Sequence, residues 1–447
     1  TVICGKGLKT IEEGAFALLP CLTEVSLNEG LTEIGQSAFH GCPIEQISLP
    51  ESLSAIGMWA FFETKLSHVK IPKNVEQIHA NPFTDAPLFE IQVEEGNPHF
   101  FVENKILYEK RENGTPARAI AYASSSPDTT VVIHPETEII DAYAFNAAQN
   151  LASVTLPSAL TTINGGAFQG CGLKELHIPE NVKTISSNAF SGCQNLQNID
   201  IPDNVDTLGT FAFSNCSSLV SATIGKGVQE FSEPFEDCPN LAELNVSPQN
   251  PYLESLENVV YNKDHTKLLY YASAKPDTAY YVLEQVKIIE SRAIEYTNLE
   301  KLYLPQTLNA IGTGGISQNS KLNSIYFAGN APAQIDNIYA NAANLILYYI
   351  KSTEGWDDPY WGNKYTLAEW NPENTTQYSG SFGSVNWAYS GSDGSLSFTG
   401  SGPLPDFTEG SPAPWSAYMG SIQTVDAGEV TEFGSSAFSH ASSLIRL

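Results

Sequence analysis

Val182-Lys183-Thr184-Ile185-Ser186-Ser187-Asn188-Ala189-Phe190-Ser191-Gly192-Cys193-Gln194-Asn195-Leu196-Gln197-Asn198-Ile199-Asp200-Ile201-Pro202 is one turn of a repeated unit, and its repetition decides the fold. The Ala189-Phe190 pair returns at Ala15-Phe16, Ala38-Phe39, Ala60-Phe61, Ala144-Phe145, Ala167-Phe168, Ala212-Phe213 and Ala437-Phe438. Pro82-Phe83 and Pro234-Phe235 keep the register, and Ala293-Ile294 and Gly315-Ile316 are weaker copies. Neighbouring phenylalanines lie 22 or 23 residues apart where nothing intervenes. A period of that size marks a solenoid, whose coils pack only on their neighbours. Function in such a chain resides on an extended surface.

Within the unit, Leu196, Ile199 and Ile201 end in the alternation of a half-buried strand, and Pro202 stops it because proline cannot donate to a ladder. A Gly or Ser before the Ala-Phe pair (Gly35, Gly57, Ser186, Gly209) predicts a turn into a short helical piece. Alanine lets coils approach closely and phenylalanine fills the interior. Each coil is thus expected to give one strand, a bend and about one helical turn, an α+β repeat. Cys42, Cys171, Cys193, Cys216 and Cys238 all stand three residues after the motif phenylalanine. One shared coil position predicts small, reduced, buried hydrophobes rather than disulfides.

The chain has 447 residues, 42% of them hydrophobic, enough for a large core and more than one domain. No run reaches the length of a membrane-spanning helix. The formal charge of −28 excludes a nucleic-acid-binding surface, which needs clustered Lys and Arg, and disfavours anionic membranes. No zinc spacing, HExxH motif, nucleophile elbow or phosphate loop occurs, so neither an enzyme nor a cofactor is expected.

Two similar insertions break the period, near 94–134 and 247–285. Asn97-Pro98, Ile106-Leu107-Tyr108 and Pro127-Asp128-Thr129 in the first match Asn250-Pro251, Val259-Val260-Tyr261 and Pro276-Asp277-Thr278 in the second. Each reads as a β-hairpin that extends the sheet sideways and carries tyrosines on one face. The solenoid is expected over 1–327, followed by an aromatic-rich terminal cap over 328–371. Ser, Gly and Thr alternating with Trp387, Tyr389, Leu396 and Phe398, with an Asp393-Gly394 turn, predict a small all-β module over 372–424. Residues 425–447 start a second array. Both ends interrupt a coil, which predicts a piece of a longer repeat protein.

The recurring Leu-x-x-Ile-x-x-x-Ala-Phe-x-x-Cys and Leu-x-x-Ile-x-Leu-Pro segments resemble the BspA-like leucine-rich repeat family of bacterial surface and secreted proteins. The two insertions and the Tyr348-Tyr349 to Trp356 ending are similar too. The resemblance implies a right-handed solenoid, a cell-surface or secreted location, and host- or partner-binding roles.

Strand alternation places a column of side chains toward solvent. It includes Lys70, His177, Asp200, Asn245, Tyr303 and Tyr326, and the two tyrosines are the best candidate anchors of a recognition surface. The leading expectation is a non-enzymatic, monomeric protein that binds extracellular or host proteins through this face. The alternatives are a structural spacer carrying a functional domain elsewhere, and glycan binding on a platform of Trp356, Trp361 and Trp387.

Overall fold

The computed structural model describes residues 1–333, 338–339, 344–370, 378–382, 385–390, 395–407, 413, 415 and 422–439. These fall into two compact units, Thr1–Leu253 and Glu254–Leu447. The chain is a β-solenoid of stacked coils with almost no helix. The α+β expectation is therefore corrected, and the cause lies in the Ala-Phe segment.

That segment makes no helical turn. In the coil of Phe190, Asn188, Phe190 and Gly192 donate their N–H groups to Thr210, Ala212 and Ser214 of the next coil, at 3.1, 2.8 and 2.8 Å. The intervening Ala189, Ser191 and Cys193 donate locally to Ser186, Asn188 and Phe190, at 3.2, 3.0 and 3.2 Å. Every second N–H is thus spent between coils, where a helix would keep them all inside. Left-handed residues bracket the segment, Asn188 at φ 58° and Gly192 at φ 73°. Other coils force this conformation on Trp59 and Phe211, at φ 57° and 61°, where a bulky side chain is unfavourable. Stacking imposes it.

Most coils contribute two strands, not one. Thr184–Ile185 lies parallel between Thr162–Ile163 and Thr207–Leu208. Asn198–Ile201 continues in register through Ser221–Ile224 to Glu243–Val246. Gly209 serves close approach rather than a turn, since a Cβ there would lie 2.3 Å from the Ser187 nitrogen.

The core is a column of stacked rings. Phe16, Phe39, Phe61 and Phe83 follow one another at 5.4, 5.6 and 5.7 Å between centroids. Phe145, Phe168, Phe190, Phe213 and Phe235 do so at 4.8, 5.2, 5.1 and 5.8 Å. The motif cysteines are free and buried. Each thiol donates to the carbonyl of the preceding coil's motif phenylalanine: Cys42 to Phe16, Cys171 to Phe145, Cys193 to Phe168, Cys216 to Phe190 and Cys238 to Phe213, at 2.9–3.4 Å. A small side chain with a weak donor suits that site better than an alkyl group.

The first insertion is antiparallel over Phe100–Glu103, Ile106–Lys110 and Pro116–Tyr122, and its last strand joins Ile139–Ile140 in parallel. Arg118 secures it by ion pairs to Asp141 and Glu109 and a 2.9 Å bond to the Ile78 carbonyl. In the second, Val259–Asn262 pairs with Lys267–Tyr271, which joins Ile288–Ile289 in parallel. Both insertions join the end of a ladder; Tyr108, Tyr122, Tyr261 and Tyr271 are buried, whereas Tyr252 is exposed and Tyr281 half-buried. Tyr122 stacks on Phe145 at 5.1 Å and donates its N–H to Ala144 at 2.7 Å, and Tyr271 donates likewise to Ala293. Both therefore occupy the motif phenylalanine's place, 23 residues before Phe145 and Ile294.

Repetition fades after Phe327, yet the parallel ladder does not stop there. Ile346–Ile350 pairs with Ser324–Phe327, and Thr366–Trp370 pairs with Ile346–Ile350. The only helix among the described residues, Pro359–Lys364, lies between them, with Asp358 capping the Tyr360 N–H at 2.9 Å and Pro359 at its start. Beyond it, Tyr378–Phe382, Val385–Ser390 and Ser395–Thr399 run antiparallel, and Thr424–Asp426 joins the last in parallel. Trp387, Tyr389, Phe398 and Trp415 form their core with Val425 and Ala437. The expected Asp393-Gly394 turn and residues 440–447 lie outside the described residues.

Removing one stacked ring should destabilise the array. Phe190→Ala is expected to cost about 3–5 kcal/mol, read as a lowered midpoint in denaturant, and an unchanged midpoint would contradict the stack. The thiols give a second test. Alkylation of the native protein should spare Cys193 and Cys216, and denaturation should expose both. Burial pushes the Cys171 and Cys216 thiols up to about 12, above the ordinary thiol value near 8.5. Unfolded thiols therefore ionise first, so stability is fully present below about pH 8.5 and declines as pH rises toward 12. Cys216→Ala should flatten that decline in alkaline denaturation series.

Candidate functional site

In the strand Lys301–Leu304, Leu302 and Leu304 face the core while Lys301 and Tyr303 face outward. The parallel register sets like residues side by side: Tyr281 opposite Tyr303, Tyr303 opposite Tyr326, and Tyr326 opposite Tyr348. A spacing of 22 or 23 residues thus becomes a straight row of phenols. Their rings stack at 4.2, 4.6 and 4.6 Å, tilted by only 9–11°. That separation is close to the spacing of paired strands, so the sheet itself imposes the stack. Trp370 packs edge-on against Tyr326, within the row, at 5.2 Å. All four phenols are half-buried. Desolvation holds the Tyr303 phenol above its ordinary pKa, so it stays a neutral donor.

The other predicted face residues are distributed differently. Asp200 and Asn245 share one ladder, with Thr223 between them, and all three are exposed. Lys70 is exposed on the two-stranded sheet of His68–Ile71 and Glu90–Val93, with its ammonium 3.2 Å from Glu94. His177 is exposed on a segment that pairs with no neighbour. Only Tyr303 and Tyr326 are drawn into a cluster. Their partners Tyr281 and Tyr348 escaped the sequence reading because they lie in segments taken for an insertion and a cap. The 22- or 23-residue interval from Tyr303 and Tyr326 was the signal that could have found them.

The tryptophan platform is not available. Trp356 is buried between Phe327 and Tyr349, at 4.7 and 5.4 Å, with Trp361 packed against it at 5.2 Å. Trp387 is buried edge-on to Trp415 at 5.6 Å. A sugar stacks on an open ring face, and these rings spend theirs covering core. Among the described residues no group of three or more His, Cys, Asp or Glu is placed to hold a metal. No helix among them is long and apolar enough to cross a membrane.

The BspA type leucine rich repeat region matches in six copies over residues 1–105, 137–263 and 281–354, and its two gaps overlap the two insertions. Among solved structures, the chain is similar to a leucine rich cell surface protein from Faecalibacterium prausnitzii. Identity is 28%, covering 54% of this chain and 69% of that one, with a TM-score of 0.49. A leucine-rich repeat protein from Eubacterium ventriosum is 22% identical over 70% of this chain and 75% of that one, at 0.48. The pneumococcal vaccine antigen PcpA is 20% identical over 76% and 78%, at 0.47. No curated protein sequence matches the chain. With about two thirds of its residues matched, the chain belongs to the BspA type leucine rich repeat family.

Proposed function

We propose that this is a non-enzymatic binding protein, displayed on a cell surface or secreted, that engages extracellular or host proteins through its strand face. The observation that carries the reading is the row Tyr281, Tyr303, Tyr326 and Tyr348, aligned by the sheet and left half-buried. Stacked phenols are rigid, so docking on them costs little side-chain entropy, and tyrosine combines apolar area with a hydrogen-bonding tip. Such residues anchor protein interfaces. The formal charge of −28 favours basic surfaces on partners over polyanions. We read the array as a right-handed monomeric solenoid, residues 372–424 as a small all-β module, and 425–447 as the start of a second array.

The test is Tyr303→Ser with Tyr326→Ser, assayed by surface plasmon resonance against extracellular-matrix proteins and mucins. Binding should weaken at least about tenfold, in keeping with interface anchors worth 2 kcal/mol or more. Wild-type affinity should fall with added salt, since exposed charges are screened over about 8–10 Å. Loss of ring stacking should lower the melting point modestly, at about 0.5–1.5 kcal/mol per pair, while the transition stays cooperative. Undiminished binding to every partner would move recognition away from this face.

A further inference from the structure

The outer sheet of the first unit has a gap in it. The strand Val25–Ser26 pairs with Val2–Ile3 on one side. On the other side, no backbone hydrogen bond joins residues 23–27 to residues 45–48, although the Phe16 and Phe39 rings stack normally within the same two coils. The physical cause is a change of length. The first apolar residue of the strand segment comes six residues after Phe16, at Leu22, but five after Phe39, at Ile44. Pro43 is followed by a tight turn in which the Ile44 N–H bonds to the Cys42 carbonyl at 2.7 Å. One residue fewer shifts this segment out of register with its predecessor.

What remains is a cleft of about 580 Å³, lined by Thr23 to Leu27 and Glu45 to Ser48. The Glu24 and Ser26 carbonyls accept from Val2 and Cys4, both at 2.9 Å. Successive residues of a strand alternate their hydrogen-bonding sides, so the N–H and C=O groups of Val25 and Leu27 point into the cleft. Val25, Leu27 and Ile47 are only half-buried there. The equivalent Ala222 and Ile224, in a strand paired on both sides, are no more than 1% exposed. Free backbone groups beside uncovered apolar side chains are the two features that a further strand would satisfy. Glu24 and Glu45 are the only charged lining residues, and no Lys or Arg lies among them. The Glu24 carboxylate accepts one hydrogen bond, from the Thr1 hydroxyl at 2.8 Å.

We propose that this cleft is a strand-addition site for an extended, basic segment of a partner protein. The segment pairs with the free edge of Thr23 to Leu27. Its alternate apolar side chains cover Val25, Leu27 and Ile47, and the Lys or Arg residues between them meet Glu24 and Glu45. Backbone bonds supply affinity in this mode and the alternating side chains supply selectivity. The site stands whether or not the tyrosine row binds anything.

The probe is a short acetylated peptide alternating lysine and valine, with an N-methylated copy and a glutamate-for-lysine copy as controls. In hydrogen-exchange mass spectrometry of the free protein, amides of Val25, Leu27 and residues 45–48 should exchange at least about tenfold faster than those of 221–224, a strand paired on both sides. The peptide should slow the former. Fluorescence anisotropy should show binding that falls at least about tenfold on N-methylation, and several-fold in Glu24→Gln with Glu45→Gln. Equal protection of the two regions in the free protein would mean that the gap is closed, and would overturn the proposal. So would equal binding of the N-methylated or glutamate peptide, or no binding of the parent peptide.

Discussion

Within a run of motif coils, each coil is held to the next by the same backbone arrangement, the alternation of local and inter-coil hydrogen bonds through the Ala-Phe segment. It tolerates no side chain before phenylalanine much larger than alanine or proline, because the neighbouring backbone lies against it. It also tolerates no slip, because the N–H of Phe190 has one acceptor, the Ala212 carbonyl, and the ring above it one place to stack. The ladder that contains Thr184–Ile185 inherits its register from this seam. Ladder bonds in two-residue strands such as Thr184–Ile185 would be too few to set it alone.

The periodic part of this architecture was legible in the sequence because phenylalanine at a fixed interval reports its own burial. The solenoid and the thiol positions could be read that way. What could not be read depends on contacts between coils. Trp59 and Phe211 adopt left-handed conformations that no intrinsic preference would assign them, and only stacking makes them do so. A two-residue strand carries no periodicity, so the second ladder was invisible. Tyr122 and Tyr271 were taken for hairpin decoration, although each sits one interval before the next motif residue.

The candidate site shows the same division. Tyr303 and Tyr326 were placed outward by strand alternation alone. That four phenols form one row required the pairing of Ile346–Ile350 onto the ladder after the sequence repeat had faded. Trp356, Trp361 and Trp387 were open to two readings, core cover and, as the alternative, an exposed glycan platform, because composition does not say which way a ring turns. The two faces discussed draw on opposite properties. The tyrosine row is useful because the register there is perfect, and the cleft beside Val25 because the register there fails.

Tyr122 and Tyr271 also say how such an array can change over time. An excursion leaves the stack at one coil and must return an aromatic residue to the vacated level, followed 22 or 23 residues later by the next motif residue. The number of residues spent outside is unconstrained, but the phase of return is not. Domains or loops could therefore be gained and lost within an insertion without renumbering the coils beyond it. A single residue gained or lost within a coil is likewise absorbed there, since intervals of 22 and of 23 residues both keep the rings stacked.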